Sequence, residues 1–326
     1  MQGLPVLHVQ RPTTAADAAA LLAREPAARL IAGGTDLIPN LRRGLEKPPL
    51  LVDLSALDGF DTLAIRADGS CTLGAGVTLA TLAADAGIRQ HLGALADAAQ
   101  AAAGPGHRSA ATLGGNLCQD TRCMFYNQSE WWRQANAYCL KRGGDTCHVA
   151  PQGGRCHAAF CSDLAPVLLA LGAGVTLQSA SGTRTLPLQD LYRDDGAAHL
   201  TRSADELLTA VHIDAPAPAQ RCGYRKARTR GAMDFPLAAV AVALALDGGR
   251  LTQLRVGIAG TNSFALRLQG TDELIGQAVD DTLVARVGKL VQQQVTPMRS
   301  TVTPANYRRQ VATTLAQRLL RELAAA

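Results

Sequence analysis

The distribution of cysteine constrains this chain more than any other feature of its sequence. Only Cys71 and Cys222 lie elsewhere, whereas six of the eight cysteines fall within one stretch, namely Cys118, Cys123, Cys139, Cys147, Cys156 and Cys161. The N-terminus lacks the basic and then apolar pattern of a signal peptide, so we expect a cytoplasmic protein whose thiols stay reduced. In such a chain, clustered cysteines favour a metal or iron–sulfur site over a disulfide network.

Composition and charge exclude several classes of protein. With 47% hydrophobic and 18% charged residues, the 326-residue chain can bury a large core and is neither disordered nor a coiled coil. No apolar run approaches the roughly 18 residues of a membrane-spanning helix. The net charge of +5 is scattered, without the basic stripe interleaved with aromatic residues that nucleic-acid binding requires. We therefore expect neither a membrane nor a nucleic acid as partner.

The N-terminal half shows a mixed pattern of helices and strands. Thr13 and Thr14 are suited to cap a helix over residues 15–24. Short apolar runs at 30–32 and 50–53 predict strands, so that this part of the chain has a βαβ-like pattern. The alanine-rich stretch 92–103 predicts a further helix that ends at Gly-Pro-Gly. These elements indicate an α+β fold.

A proline-containing segment at 215–219 is the best candidate for a domain boundary. After it, strand-like runs at 235–247 and 251–259 are joined by two glycines, and helical patterns cover 280–293 and 304–323. We therefore divide the chain into a first domain, residues 1–216, and a C-terminal α+β domain, residues 217–326.

Residues 119–160 differ in composition from the rest of the first domain. This segment contains six of the twelve aromatic residues and four of the eight cysteines of the chain, with little aliphatic periodicity. It is best interpreted as an inserted element with its own small core.

Two glycine loops have the design of an anion-binding turn. Residues 30–37 read Leu-Ile-Ala-Gly-Gly-Thr-Asp-Leu, and residues 112–116 read Thr-Leu-Gly-Gly-Asn. Glycine lets a phosphate approach consecutive backbone N–H groups, although one such loop alone is more often a tight turn, here with a bond from Asp36. Two loops together favour a dinucleotide pyrophosphate, and neither has the spacing of a Rossmann or P-loop motif.

These motifs resemble those of the FAD-binding medium subunit of the molybdenum hydroxylase (xanthine oxidase) family. The resemblance rests on both glycine loops, on Ser162-Asp-Leu-Ala-Pro166, on Tyr224-Arg-Lys226, and on Met298-Arg-Ser with Tyr307-Arg-Arg309. It implies a vanillyl-alcohol-oxidase-like (PCMH-type) FAD-binding domain, with the cysteine-rich insert as an extra element. It also implies a C-terminal α+β domain like that of the CO dehydrogenase flavoprotein.

The resemblance also implies which residues contact FAD. They form the first loop, the second loop with its preceding turn, and two charged positions, namely Leu30, Ile31, Ala32, Gly33, Gly34, Thr35, Asp36, Leu37, Ala103, Thr112, Gly114, Gly115, Asn116, Asp163 and Lys226. Without the resemblance, Asp163 and Lys226 are more simply interpreted as surface charges. In the family the lysine lies near the flavin, where a cation stabilises an anionic reduced ring.

The spacing within the insert leaves the kind of metal site open. Cys123, Cys139, Cys147 and Cys156 are separated by 15, 7 and 8 residues, without the C-x-x-C pair of a ferredoxin or zinc ribbon. Four thiolates suit an iron–sulfur cluster or a structural zinc, and His107, His148 and His157 keep zinc open.

The resemblance favours iron and sulfur. The 4-hydroxybenzoyl-CoA reductases of this family have a similar insert that binds a 4Fe-4S cluster, and Tyr126 to Trp132 with Tyr138 to Lys141 is similar to it. We therefore expect these four cysteines to ligate a 4Fe-4S cluster, and Cys118 and Cys161, which flank the insert, to be structural.

The implied function is electron relay within a larger enzyme. The sequence resembles neither the molybdopterin-binding large subunit nor the 2Fe-2S small subunit, so both are expected as partners in a dimer of heterotrimers. Ferredoxin would supply electrons that pass through the 4Fe-4S cluster and FAD to molybdenum, where 4-hydroxybenzoyl-CoA is reduced to benzoyl-CoA during aromatic catabolism. Two alternatives are a hydroxylase or dehydrogenase that passes electrons outward, and a zinc-stapled binding module with an empty FAD fold.

Overall fold

A computed structural model describes residues 4, 6–298 and 303–326. Arg299 and Ser300, which belong to the Met298-Arg-Ser motif on which part of the family resemblance rests, lie outside the described residues. The strands are β1 (His8–Gln10), β2 (Arg29–Ile31), β3 (Leu50–Asp53), β4 (Leu63–Ile65), β5 (Cys71–Gly74), β6 (Gly174–Ser179), β7 (Gly182–Pro187), β8 (Leu207–Ile213), β9 (Arg221–Ala227), β10 (Ala238–Asp247), β11 (Arg250–Ala259) and β12 (Leu266–Arg267). The α-helices are α1 (Ala15–Arg24), α2 (Leu37–Arg42), α3 (Leu79–Ala84), α4 (Ala86–His91), α5 (Gly93–Ala101), α6 (Pro105–Arg108), α7 (Leu113–Cys118), α8 (Glu130–Ala135), α9 (Leu164–Leu171), α10 (Asp281–Gln294) and α11 (Ala305–Ala325).

The chain begins with a small parallel sheet in the order β1-β3-β2. Helix α1 connects β1 to β2, and the Thr14 hydroxyl caps it by accepting a hydrogen bond of 3.1 Å from the Asp17 N–H. The expected helix over 15–24 and the strand over 50–53 are confirmed at those residues. This unit carries the first glycine loop, because β2 ends at Ile31 within that loop.

An antiparallel sheet in the order β4-β5-β8-β6-β7 completes the first domain. Helix α1 packs against its strands β6 and β8. Helix α9, whose eight residues are all buried, packs instead against β10 and β11 and ends at Gly172 in the left-handed conformation with φ +75°. The chain thus passes from the buried helix α9 directly into the sheet at β6.

The C-terminal sheet has the strand order β12-β11-β10-β9. Its strand β10 contributes side chains to two hydrophobic cores, one on each face. One face of β10 contributes Ala239, Ala241 and Ala243 to the core of the first domain. The opposite face packs Val240 and Val242 against α11, which in turn packs against α10. Alanine on the first face allows α9 to approach the sheet closely. The two halves of the chain therefore pack directly against each other.

Gly257 on β11 marks the tightest point of this packing. A Cβ atom at this position would overlap the carbonyl oxygen of Pro166 on α9. Only glycine allows the strand and the helix backbone to lie this close together.

The insert has its own small core, as expected. Phe125, Tyr126 and three of the insert's four cysteines are buried together, with the Phe125 ring edge-on to Trp132 at 4.8 Å. Leu45, Cys161 and Met298 from outside the insert complete this core. A two-residue antiparallel bridge between Arg122 and Ala159 closes the insert at its base. No helix among the described residues is long and apolar enough to cross a membrane.

Candidate functional site

Two cavities that share a wall form a cleft beside the glycine loops. Their volumes are about 530 Å³ and 370 Å³. The shared wall consists of Thr35, Asp36, Ala111, Asn116 and Gln119. Such a pair of joined cavities suits an elongated ligand with two distinct ends. We call the larger one the first cavity and the smaller one the second cavity.

The first glycine loop forms one side of the first cavity. All eight residues from Leu30 to Leu37 line it, as β2 ends and α2 begins. A Cβ atom on Gly33 would overlap the Ala110 carbonyl oxygen, and Gly34 has φ +68°, which disfavours other residues. The glycines thus hold this loop against residues 110–111 and let it turn sharply.

The second glycine loop contributes to the same cavity through only part of its length. Thr112 caps α7 by accepting a hydrogen bond of 3.1 Å from the Gly115 N–H, and both residues line the first cavity. Gly114 lines neither cavity, because its N–H donates to the Ala75 carbonyl at 2.8 Å and a Cβ atom there would lie 2.8 Å from the Ala75 Cβ. The structure therefore gives Gly114 a packing role rather than a place in the cleft.

Asn116 connects the second loop to α9. Its side-chain oxygen accepts hydrogen bonds from the Ser162 hydroxyl at 2.7 Å and from the Leu164 N–H at 3.2 Å. Asn116 thereby fixes Asp163, which lies between these two partners in sequence and lines the second cavity. Ala103 lines the same cavity and has a strained φ of +42°.

Asp163 and Lys226 form a buried ion pair rather than two surface charges. The Lys226 ammonium lies 2.9 Å from Asp163 Oδ1 and donates to the Ala101 carbonyl at 3.2 Å, and its side chain is only 3% exposed. The Tyr224 hydroxyl donates to the same carboxylate at 2.8 Å. Burial raises the pKa of Asp163, and Lys226 opposes that rise by stabilising the charged form. Lys226 thus acts on the second cavity through Asp163.

Arg122 also lines the second cavity, although the sequence motifs did not indicate it. Its guanidinium forms an ion pair with Asp36 and lies 5.2 Å from the centre of the Phe235 ring. Burial lowers the pKa of Arg122. The one sequence feature that could have indicated Arg122 is its position directly before Cys123, where the chain passes from the cleft into the insert.

The loop 193–204 forms the opposite side of the first cavity and carried no recognisable motif. Within it, His199 is buried against Phe160, and its Nε2 lies 3.0 Å from the Gln119 carbonyl oxygen. Burial lowers the pKa of His199 to about 4. The imidazole is therefore neutral at physiological pH and donates to that carbonyl.

The structure brings the four cysteines of the insert to one enclosed cavity. The thiol cavity, as we name it, is lined by Cys123, Cys139, Cys147 and Cys156 together with aromatic and aliphatic side chains. Its volume of about 10 Å³ is comparable to a single water molecule. Among the described residues, no group of three or more His, Cys, Asp or Glu side chains has an arrangement that could hold a metal ion.

The thiols influence one another through the cavity. Burial raises the pKa of Cys123 and of Cys139, and it raises that of Cys156 to about 11. The nearby Cys147 adds to the rise at all three, whereas Lys141 opposes it at Cys139 and Cys156. The four sulfur groups are thus close enough to interact.

Cys118 and Cys161 lie apart from the thiol cavity, in the walls of the cleft. Cys118 lines the first cavity, and Cys161 lines the second. Burial raises the pKa of both thiols, that of Cys161 to about 11. Both are therefore protonated at neutral pH.

Comparison with known protein families decides the identity of the chain. The profile described as "FAD binding domain in molybdopterin dehydrogenase" matches residues 5–216, and "CO dehydrogenase flavoprotein C-terminal domain" matches residues 223–323. This chain belongs to the FAD-binding subunits of the molybdenum hydroxylase family. The expected fold, an FAD-binding domain followed by this C-terminal domain, is confirmed for this FAD subunit.

Relatives of this FAD subunit include subunits of several oxidoreductases. It is 33% identical over 288 residues to the aldehyde oxidoreductase FAD-binding subunit PaoB of Escherichia coli (strain K12), covering 85% of this chain and 89% of that protein. It is 27% identical to the carbon monoxide dehydrogenase medium chain of Afipia carboxidovorans, covering 94% and 93%. The fold matches carbon monoxide dehydrogenase from Hydrogenophaga pseudoflava with a TM-score of 0.81 at 20% identity, covering 98% of each chain.

Proposed function

We propose that the FAD of this subunit lies across the two joined cavities. The adenosine end would occupy the first cavity and the flavin ring the second, with the pyrophosphate near the shared wall at Thr35 and Asn116. The first glycine loop supports this assignment, because it lines the first cavity along its whole length and turns at Gly34. FAD bound here can accept and release electrons singly or in pairs.

The residues around the second cavity provide charge next to the proposed flavin position. Asp163 lines the cavity with Lys226 directly behind it, and Arg122 brings a second cation to the wall. Fixed cations in a buried site stabilise negative charge that develops nearby. Arg122, which lines the cavity itself, would therefore favour the electron-rich form of a bound flavin. Lys226 would balance the Asp163 carboxylate, which faces the cavity and would otherwise oppose flavin reduction.

We further propose that Cys123, Cys139, Cys147 and Cys156 ligate a 4Fe-4S cluster. Four thiols converging on one enclosed, largely apolar cavity are the donor set that such a cluster requires. A cluster needs more room than the present 10 Å³, so the thiols would have to separate around it. In the described segment between Cys139 and Cys156, the only helix or strand is a short 3-10 turn, Leu140–Arg142.

The proposed function is electron relay between the thiol cavity and the flavin. One observation carries it: Arg122 lines the second cavity, and the next residue, Cys123, lines the thiol cavity. A single peptide bond thus connects the walls of the two proposed cofactor sites. A short covalent link of this kind suits transfer of single electrons, which an iron–sulfur centre exchanges and a flavin can combine into pairs.

We propose that electrons enter from ferredoxin and leave toward the 2Fe-2S centres of a small subunit and the molybdenum of a large subunit, in a dimer of heterotrimers. The complex would reduce 4-hydroxybenzoyl-CoA to benzoyl-CoA. This reaction consumes two electrons and two protons, and it releases the phenolic oxygen as water. A one-electron donor gives the cysteine insert a use, because a hydride donor could reduce FAD directly.

A second candidate is an aldehyde-oxidising complex in which electrons flow outward. It is favoured by the 33% identity to the FAD-binding subunit of an aldehyde oxidoreductase over 85% of this chain. In that case the FAD and the thiol site would pass electrons from molybdenum to an external acceptor. The residues of the cleft would have the same roles.

The purified complex distinguishes the two directions. Loss of 4-hydroxybenzoyl-CoA with reduced viologen as donor supports the first candidate, whereas dye reduction that depends on an aldehyde supports the second.

Iron and sulfide are counted separately in Cys147→Ser and in Cys71→Ser, whose thiol is buried in the main core away from the insert. We expect iron loss only in Cys147→Ser. Zinc in place of iron, or equal iron in both variants, would refute the cluster assignment.

A further inference from the structure

Lys141 is a buried cation in the wall of the thiol cavity. Its side chain is only 7% exposed, and it lines the cavity alongside the four cysteines. The ammonium also lies 4.4 Å from the centre of the Tyr126 ring. A buried ammonium is costly unless it is well paired, so its placement here requires an explanation.

The partners of Lys141 fix its charge in one position. The ammonium donates to Asp120 Oδ1 at 2.5 Å, to the Thr121 hydroxyl at 2.6 Å and to the Thr121 carbonyl at 3.4 Å, which uses all three of its protons. Asp120 is more exposed than Lys141, with 24% of its side chain accessible. The carboxylate is therefore screened by solvent more than the ammonium is.

The field of Lys141 reaches the thiol groups. Lys141 lies in the wall of the cavity that all four thiols line, whereas Asp120 does not line this cavity and lies in the wall of the first cavity instead. The sulfur atoms thus experience a net positive potential from the Lys141–Asp120 pair. Reduction potentials of iron–sulfur centres depend on such nearby charge and on solvent exposure.

Resting on the 4Fe-4S cluster proposed above, we infer that Lys141 sets the reduction potential of that site. One-electron reduction adds one negative charge among the four thiolates, and the fixed ammonium stabilises that charge. Lys141 therefore raises the potential and makes the site easier to reduce. Asp120 partly cancels this effect, because it holds an opposite charge against the ammonium. Lys141 is thus a positioning charge for electron entry and not a ligand.

The test is a redox titration of the full chain loaded with iron and sulfide, with reduced viologens as the electron source and EPR as the readout. Lys141→Met should lower the equilibrium constant for reduction at least tenfold, which is 59 mV for a one-electron couple. Lys141→Arg keeps the charge and should stay within about twofold of the unmodified chain. Asp120→Asn removes the opposing charge and should shift the potential upward.

Arg142→Met is the matched control. Arg142 neighbours Lys141 but donates to the Gly44 carbonyl at 2.9 Å and does not line the thiol cavity, so its loss should leave the potential unchanged. If Lys141→Met does not fold, the upward shift in Asp120→Asn still tests the inference. A purely structural lysine would reduce iron content or thermal stability while every loaded variant keeps one common potential, and that result would overturn the inference. Failure of the unmodified chain to take up iron would instead remove the cluster itself, and the inference with it.

Discussion

Replacing Lys226 by methionine tests the role of the buried ion pair beside the second cavity. Lys226 is the closest counter-charge of Asp163, at 2.9 Å and 3.1 Å from its two oxygens, and both side chains are nearly inaccessible. Methionine has a similar length but no charge. After the substitution, the Asp163 carboxylate would keep the hydrogen bond from Tyr224 as its only side-chain partner in this group.

The expected cost is about 3–5 kcal/mol of unfolding free energy, which is typical when one member of a buried ion pair is removed. The double variant Lys226→Met with Asp163→Asn should recover much of that loss, because no uncompensated charge remains. The coupling between the two positions should therefore reach about 2 kcal/mol, near the upper part of the range for contacting residues.

The pH dependence of the loss follows from the same charge. Without Lys226, burial dominates and raises the pKa of Asp163 further above the value of an exposed aspartate. The folded variant then binds a proton that the unfolded chain has released. Stability falls with rising pH wherever the folded state binds more protons, so the cost should be smallest below about pH 4 and largest near neutral pH.

Urea unfolding of the unmodified chain, the two single variants and the double variant, at pH 4 and pH 7, measures these quantities. Flavin occupancy of each variant, measured from absorbance, shows separately whether the second cavity is altered. A loss below about 1 kcal/mol in Lys226→Met at pH 7 would refute the reasoning. So would a double variant as unstable as the sum of the single ones.

Three further predictions concern the cleft and its support. Gly34→Val should lose flavin absorbance, whereas Gly248→Val, at a hairpin turn with φ +54° and open space around it, should retain full flavin occupancy despite similar backbone strain. Gly257→Ala should destabilise the chain by several kcal/mol or prevent folding, because its Cβ would overlap the Pro166 carbonyl, and Gly248→Ala is again the control in thermal unfolding. Burial lowers the pKa of His199 from 6.5 to about 4, so the unfolded state binds more protons than the folded state between these values. This residue should therefore cost the unmodified chain roughly 3 kcal/mol of stability as the pH falls from 7 to 4. In urea unfolding, His199→Gln should lack this pH-dependent loss.

Local features of the fold followed from the sequence because they depend on neighbouring residues. Thr14 caps α1 through its own hydroxyl, and the alanine-rich helix expected over 92–103 forms as α5, Gly93–Ala101. The separate core of the insert was also visible, because aromatic residues and cysteines replace aliphatic ones there. In each case the determining interactions lie within a few positions of the chain.

Long-range contacts could not be predicted in the same way. Asp163 and Lys226 are 63 positions apart, and nothing local distinguishes them from surface charges until the fold buries them together. The design of the second glycine loop is equally ambiguous, because Gly114 serves contact with Ala75 while Gly115 faces the first cavity. Glycine spacing indicates that either another backbone segment or a ligand lies close to the loop, but it does not distinguish between the two.

The attachments of the insert explain how it could serve a relay. At its closing end, the Phe160 N–H donates to the Asn262 carbonyl at 2.9 Å, and Arg155 contacts Ser263 at 3.2 Å and Asp194 at 2.6 Å. These partners belong to a loop of the C-terminal half and to the loop beside the first cavity. A loosely tethered insert would let the distance between the thiol cavity and the cleft vary, and electron transfer weakens steeply with distance. Attachment to both halves of the chain holds that distance constant, which a structural staple alone would not require.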